Sequence, residues 1–267
     1  MSSTDAPRAR GEDGAELVQS LVRAFAMLDQ LAAHDEGLKL TQLARLVDLP
    51  RSTAHRLLTT MSTLRYIEFD PATHRWLVGV RAFSLGNAYG RLRGLPRLAR
   101  PLLRALQFKV RDTVSLAVPV GGALYYAAQL EGATGRGPLR PGQSLPFHAT
   151  AVGKAFLAHL SETEIEALLG DVGLTGLTPA SRTTRAGLAD ELRRVRDDGV
   201  AFDKEECVTG LRCVAVPVFN ARGQVCGALS VSGRSDRMPE MRMQALAPTL
   251  DEAARGLAAH TAGWALE

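Results

Sequence analysis

Nowhere in the 267 residues is there a run of about 18 uncharged apolar side chains, the least that spans a bilayer, so no membrane-crossing helix is expected. The first sixteen residues, MSSTDAPRARGEDGAE, lack the apolar core of a secretory leader and read as a disordered polar tail, which predicts a cytoplasmic protein. Cysteine is scarce. Cys207, Cys213 and Cys226 are odd in number, show no C-x-x-C spacing and stand in apolar, strand-like stretches, which argues for buried free thiols and against zinc. There is no G-x-x-x-x-G-K-[ST], no H-E-x-x-H, and no G-x-G-x-x-G behind a strand, the nearest glycines being Gly132, Gly135 and Gly137 in a loop. No cofactor and no metal are therefore expected. Acidic residues, too, are nearly absent from one stretch: residues 39–111 carry 14 Lys and Arg against 3 Asp and Glu, whereas the counts are 3 against 7 before it and 15 against 18 after it. Positive charge gathered into one quarter of a chain is the footprint of a nucleic-acid-binding module joined to a neutral or acidic partner domain.

The length exceeds one ordinary domain and falls short of three, so two unequal domains are expected. Leu17, Leu21, Ala24, Phe25, Leu28 and Leu31 recur at three- and four-residue spacing and predict one apolar face of a first helix, ended near Gly37. A short second helix is predicted from Thr41, whose hydroxyl would cap it, through Val47. Asp48, Leu49 and Pro50 break it, because proline disfavours helical geometry in the residue before it and Asp tolerates a left-handed turn. A third helix, Ser52 to about Leu64, has an apolar stripe of Ala54, Leu57, Leu58, Met61 and Leu64. YIEFD and HRWLV, separated by PAT, predict a hairpin. This order of elements is that of a winged helix-turn-helix over 17–79. Two basic helical stretches broken near Gly94 and Pro96 predict a linker helix over 80–96, leading to a second domain over 97–267. There, strands at Thr113–Val120 and Ala123–Leu130 flank Gly121-Gly122, and GATGRGPLRPGQSLP reads as a loop. Helices are expected at Ala149–His159, Glu162–Leu169 and Arg185–Asp197. Strands follow at Ala201–Asp203, Arg212–Phe219 and Val225–Ser232, then a helix from about Pro239 to Ala259. Hairpins interleaved with helices predict an α+β domain with an antiparallel sheet.

A helix that enters the major groove needs small polar and basic side chains near its start, because Arg pairs with guanine O6/N7 and Ser, Thr or His reach bases or phosphates. Arg51, Ser52, Thr53, His55 and Arg56 supply that set, with Thr60 further along and Thr41 and Gln42 on the preceding helix. His74 and Arg75 sit where a wing would touch the backbone. Trp76 is expected to pack between wing and body. His148, Thr150, Asp203, Glu205 and Glu206 could be assembled into an acid/base site, but residues so scattered are usually structural, and catalysis is not expected of them.

On these residues the chain resembles the IclR family of bacterial transcriptional regulators, from about Val18 to the final helix. LTQLARLVDLPRSTAHRLLTTM with YIEFD and HRWLVG is similar to the family's winged helix, and PFHATAVGKAFLA to its second landmark. Gly199, Asp203, Glu206, Cys213, Val214, Ala215, Val218, Phe219 and Asn220 fall at the spacings of the family signature. The resemblance implies a GAF-like C-terminal domain that binds a small organic acid, in some members glyoxylate or a related 2-oxo acid, through the positions matched here by Ala151, Val152, Asp203, Leu211, Cys213, Ser230 and Ser232. Arg65 stands where the family commonly has glycine before the wing tyrosine, and Arg234 where it has proline after Ser-x-Ser-Gly. The expected protein is a regulator, not an enzyme. It would bind a pseudo-palindromic double-stranded DNA operator as a homodimer or homotetramer, with no membrane partner. Two alternatives stay open: a small-molecule-binding protein whose helix-turn-helix serves protein contacts, and an enzyme that processes a carboxylate at Asp203 and Cys213.

Overall fold

The computed structural model describes residues 17–85, 94–132, 138–170 and 174–258, of which 94–98 and 258 by backbone alone. The predicted N-terminal tail and part of the predicted linker lie outside them. The chain divides into two compact units, residues 1–89 and 90–267.

In the first unit, α1 (Gln19–Ala32), α2 (Leu40–Leu46) and α3 (Arg51–Thr63) precede a two-stranded antiparallel wing of β1 (Ile67–Asp70) and β2 (Arg75–Val78). Met27, Leu31, Leu43, Ala54, Leu58, Ile67 and Trp76 meet in its core. The face expected of α1 is corrected. Met27 and Leu31 are buried and Ala24 and Leu28 half-buried, while Leu21 and Phe25 stay exposed, because two apolar stripes overlap on this helix and only the C-terminal one faces α2 and α3. The start of α2 is corrected as well. Thr41 lies inside the first turn, and it is Gln42 that reaches back, its Oε1 accepting from the Lys39 N–H at 3.0 Å. Asp48 takes the left-handed conformation expected of it, at φ 49°. Trp76 packs on Phe69, its cross-strand partner, with ring centroids 4.8 Å apart, and its backbone bridges to Leu38. Residues 80–85 are helical.

The second unit opens with α4 (Gly94–Val110), which takes in Gly94 and Pro96 where a break was expected. A proline in a first turn forfeits no ladder hydrogen bond. The expected strands follow within one or two residues: β3 (Thr113–Val120), β4 (Ala123–Leu130), β6 (Ala201–Lys204), β7 (Leu211–Phe219) and β8 (Val225–Arg234). The unexpected β5 (Ser144–Leu145) lies in the segment read as loop and pairs with Leu124 and Tyr125. They form one antiparallel sheet in the order β5-β4-β3-β8-β7-β6. Side chains alternate faces along a strand, so Val114, Leu116, Val214, Val216, Leu229 and Val231 point to one side. There they pack with α4 and α8 (Glu240–Ala258). The other side is covered by α5 (Ala151–Leu157), α6 (Glu162–Leu169) and α7 (Arg185–Asp198). Thr150, Ser161 and Thr184 cap these three helices through their hydroxyls, and Gly199 ends α7 at φ 71°. Among the described residues no helix is long and apolar enough to cross a membrane, and no three His, Cys, Asp or Glu are grouped to hold a metal.

Candidate nucleic-acid interface and effector site

Burying Ala54, Leu58 and Met61 turns the opposite face of α3 outward. Arg51, Ser52, His55, Arg56 and Thr60 are exposed and Thr53 half-buried, and no acidic residue interrupts them. Arg51 and Arg56 have no ion-pair partner among the described residues. Pro50 precedes the helix without a side-chain cap, so the first-turn N–H groups remain open to an anion such as phosphate. The hydroxyls of Thr59 and Thr60 donate back to the His55 and Arg56 carbonyls at 2.9 Å each. On α2, Thr41 and Gln42 are also exposed. The wing residues part company. His74 faces solvent at φ 54°, whereas Arg75 folds back, its Nη1 donating to the Gly37 carbonyl at 2.9 Å and lying 3.7 Å from the Glu36 carboxylate. Arg75 therefore braces the wing against the turn before α2.

In the second unit the strand register brings side chains from distant parts of the chain into rows on the face under α5. One row runs Thr113, Ser232, Cys213, Asp203; the next runs Gln129, Ser115, Ser230, Ala215, Ala201; a third runs Tyr126, Ala117, Ala228, Pro217. Of the residues implied by resemblance, Asp203, Cys213 and Ser232 thus share a row and Ser230 stands in the next. Leu211 lies one row beyond, opposite Arg234 at the rim, and Ala151 and Val152 pack from α5 into the same apolar cluster as Cys213. Gly153 lets this helix settle, because a Cβ there would fall 2.2 Å from the Phe147 carbonyl oxygen.

Asp203 is buried, and its Oδ1 accepts from the Glu206 N–H at 2.7 Å and the Cys207 N–H at 3.4 Å. Burial pushes its pKa up to about 7, helped by the Glu206 charge and opposed by the two N–H donors and Lys154. The Cys213 thiol is raised by burial and then by Asp203, and Cys207 is pushed up to about 12 by the same causes, so both are neutral near pH 7. Ser115 accepts from Gln129 Nε2 at 3.1 Å, leaving its own proton free to give. The site thus sets neutral hydroxyls and thiols to one side of a carboxyl that is half-protonated near neutrality, with Ser230 donating to the Ser115 carbonyl at 3.5 Å and Cys213 to that of Val214 at 3.8 Å.

Residues the sequence reading passed over hold this arrangement. Lys154, fully buried, ion-pairs with Glu206 at 2.6 Å and Glu191 at 3.4 Å, and Arg182 pairs with Glu191 at 3.0 Å. A lone lysine inside AVGKAFLA has no polar face to lie on, which was the available signal for a buried pair. The Glu206 carbonyl also accepts from the Ser181 and Thr178 hydroxyls at 2.6 and 3.2 Å. The scattered polar residues considered for acid/base work are engaged locally. His148 Nε2 bonds the Thr175 carbonyl at 2.9 Å, Thr150 caps α5, and Glu205 pairs with Arg212 at 3.1 Å.

Residues 20–71 match the model of the IclR helix-turn-helix domain, and residues 90–259 that of the bacterial transcriptional regulator IclR C-terminal domain. The HTH-type transcriptional regulator BhcR of Paracoccus denitrificans is 36% identical over 256 residues, spanning 94% of this chain and 91% of the relative. The IclR transcriptional regulator from Alicyclobacillus acidocaldarius superposes with a TM-score of 0.77 at 25% identity, over 92% of this chain and 100% of the other. An IclR homologue from Microbacterium hydrocarbonoxydans, crystallised with 4-hydroxybenzoate, has a TM-score of 0.74 at 24% identity, over 91% of this chain and 98% of the other.

Proposed function

Because this chain belongs to the IclR family of bacterial transcriptional regulators, we propose that it binds a pseudo-palindromic operator through α3 and changes its hold on DNA when a small organic acid enters the second unit. The observation that carries the DNA reading is the outer face of α3, where Arg51, Ser52, His55 and Arg56 are exposed with no acidic neighbour on the helix. Arg56 reads a base edge or a phosphate, with Thr41, Gln42, Thr53, Thr60 and His74 as flanking contacts.

The effector is a small acid of the glyoxylate or 2-oxo type. It is held by Ser230, Ser232, the Cys213 thiol and the amides at the head of α5 (Ala151, Val152), with Leu211 at the rim. A protonated Asp203 donates to it, since two bare carboxylates in one buried site repel. The assembly is a homo-oligomer, dimer or tetramer. Its support is a pair of apolar surfaces on the first unit of the single chain: Leu21, Val22 and Phe25 on α1, the last 61% exposed, and Val80, Phe83 and Leu85, with Phe83 70% exposed. Two copies suit a two-fold operator.

The test is selection of duplex DNA from a random pool by the full chain, then anisotropy titrations over a salt series. Arg56→Ala lowers affinity for the selected site by about 1–3 kcal/mol if it reads a base; if it contacts phosphate, the loss is uniform across sequences and the salt slope falls by about one. Unchanged affinity on replacing Arg51, Ser52, Thr53 and Arg56 together by alanine refutes the docking of α3. Adding glyoxylate or pyruvate to the bound complex reads out the effector.

A further inference from the structure

The sheet face beneath α5 is floored by small side chains: Ala117 and Ala228 in one row, Ser115, Ser230 and Ala215 in the next. Tyr126 is the largest side chain in these two rows, which end in Gln129 and Pro217. It stands on β4 directly opposite Ala117, is buried, and packs in one cluster with Ala151, Val152 and Cys213. Since β4 is separated from β8 only by β3, and β3 offers Ala117 beside it, the phenol lies across the face as far as β8, where its hydroxyl is hydrogen-bonded with that of Ser230. Its hydroxyl is within electrostatic reach of Cys213, Cys207 and Asp203, and burial before all else holds its proton well above the ordinary phenol range. The hydroxyl is therefore neutral and lies beside Ser230 in the proposed effector site.

We propose that Tyr126 determines which acid this site accepts: its ring occupies the volume an aromatic acid would need, and its hydroxyl donates to an oxygen of a small aliphatic 2-oxo acid. The proposal rests on the effector reading above and narrows it to acids without a ring. The driving chemistry is shape and hydrogen bonding together. Truncating a buried ring leaves a hole of ring shape, which a complementary ring fills, whereas removing the hydroxyl alone costs one hydrogen bond.

The experiment is titration calorimetry on the full chain with glyoxylate, pyruvate and 4-hydroxybenzoate, for wild type, Tyr126→Phe and Tyr126→Ala, with Tyr126→Leu taking the place of alanine if that variant does not fold. The wild type is expected to bind a small 2-oxo acid and to give no heat with 4-hydroxybenzoate. Tyr126→Phe keeps that exclusion but binds the small acid about 3- to 10-fold more weakly, the factor for one lost hydrogen bond. Tyr126→Ala gains 4-hydroxybenzoate binding by at least about tenfold. Small-acid binding by wild type that neither variant alters, or 4-hydroxybenzoate binding to wild type as tightly as to Tyr126→Ala, overturns the role of Tyr126 and leaves the effector reading standing. If none of the three acids binds wild type or the opened variant, the effector reading falls and this proposal with it.

Discussion

Replacing Asp203 by asparagine keeps the shape of the side chain and an Oδ1 that still accepts from the Glu206 and Cys207 amides, but removes the titration. In the wild type that titration costs stability as pH rises toward neutrality. Burial raises the carboxyl from 3.8 to about 7, so between those values the native protein binds a proton that the unfolded chain releases, and stability falls as pH rises. At 1.36 kcal/mol per pH unit, the full span amounts to roughly 4 kcal/mol, of which about 2 falls between pH 5.5 and 7. The groups that set this value from the surrounding segments, Glu206, Lys154 and Cys207, remain in the variant. Urea denaturation of both proteins from pH 5.5 to 8.5 therefore isolates the residue: the gap between them should open in favour of Asp203→Asn with rising pH and level off above about pH 7. The same proton governs acid binding, so the wild-type Kd for pyruvate should weaken by up to tenfold per unit above about pH 7, while that of the variant stays flat. Stability curves that run parallel within about 0.5 kcal/mol across the range would refute the argument.

Lys154→Met leaves Glu206 and Glu191 with only the more exposed Arg182 and Arg194 as cations and should cost up to about 3–5 kcal/mol in urea denaturation, with part of the loss recovered by adding Glu206→Gln. Gly153→Ala drives a methyl into the Phe147 backbone and should lower stability by about 1–3 kcal/mol, read as a fall in the melting temperature. Arg65 sits at φ 62°, so Arg65→Gly removes left-handed strain and adds freedom to the unfolded chain; a net gain of up to about 1 kcal/mol should appear as a raised melting temperature. Phe25→Glu combined with Phe83→Glu should shift the chain toward monomer in sedimentation velocity and weaken operator binding with it.

Local chemistry was legible wherever it decided the outcome. Gly121-Gly122, at φ 56° and 77°, marked the hairpin, and β3 and β4 run to the residues expected. Ser161 with Glu164 forms a capping box at the expected start of α6. The glycine usual at position 65 in the family was itself a clue, since this is a left-handed position that Arg65 occupies under strain. Where two solutions competed locally, only packing chose between them. Leu21 and Phe25 satisfy helical periodicity as well as Met27 and Leu31 do, and what lies against each stripe is a property of the fold. The candidate site was proposed from resemblance and not from spacing. Thr113, Ser232, Cys213 and Asp203 become neighbours through strand pairing across the chain, which no short-range pattern announces. Tyr126 and Ser115 escaped notice for the same reason, looking like ordinary strand residues until the register set them opposite Ala117 and Ser230.

Glu206 spends nearly every polar group it has on a different piece of the molecule: its amide on the carboxyl beside it, its side chain on Lys154, its carbonyl on the hydroxyls of Thr178 and Ser181. Only its Oε2 is left without a hydrogen bond among the described residues. Anything that nudges Asp203 must carry α5 and the segment around 178–182 along as a block, so empty and filled sites would differ by the displacement of an assembly and not by the swing of one side chain.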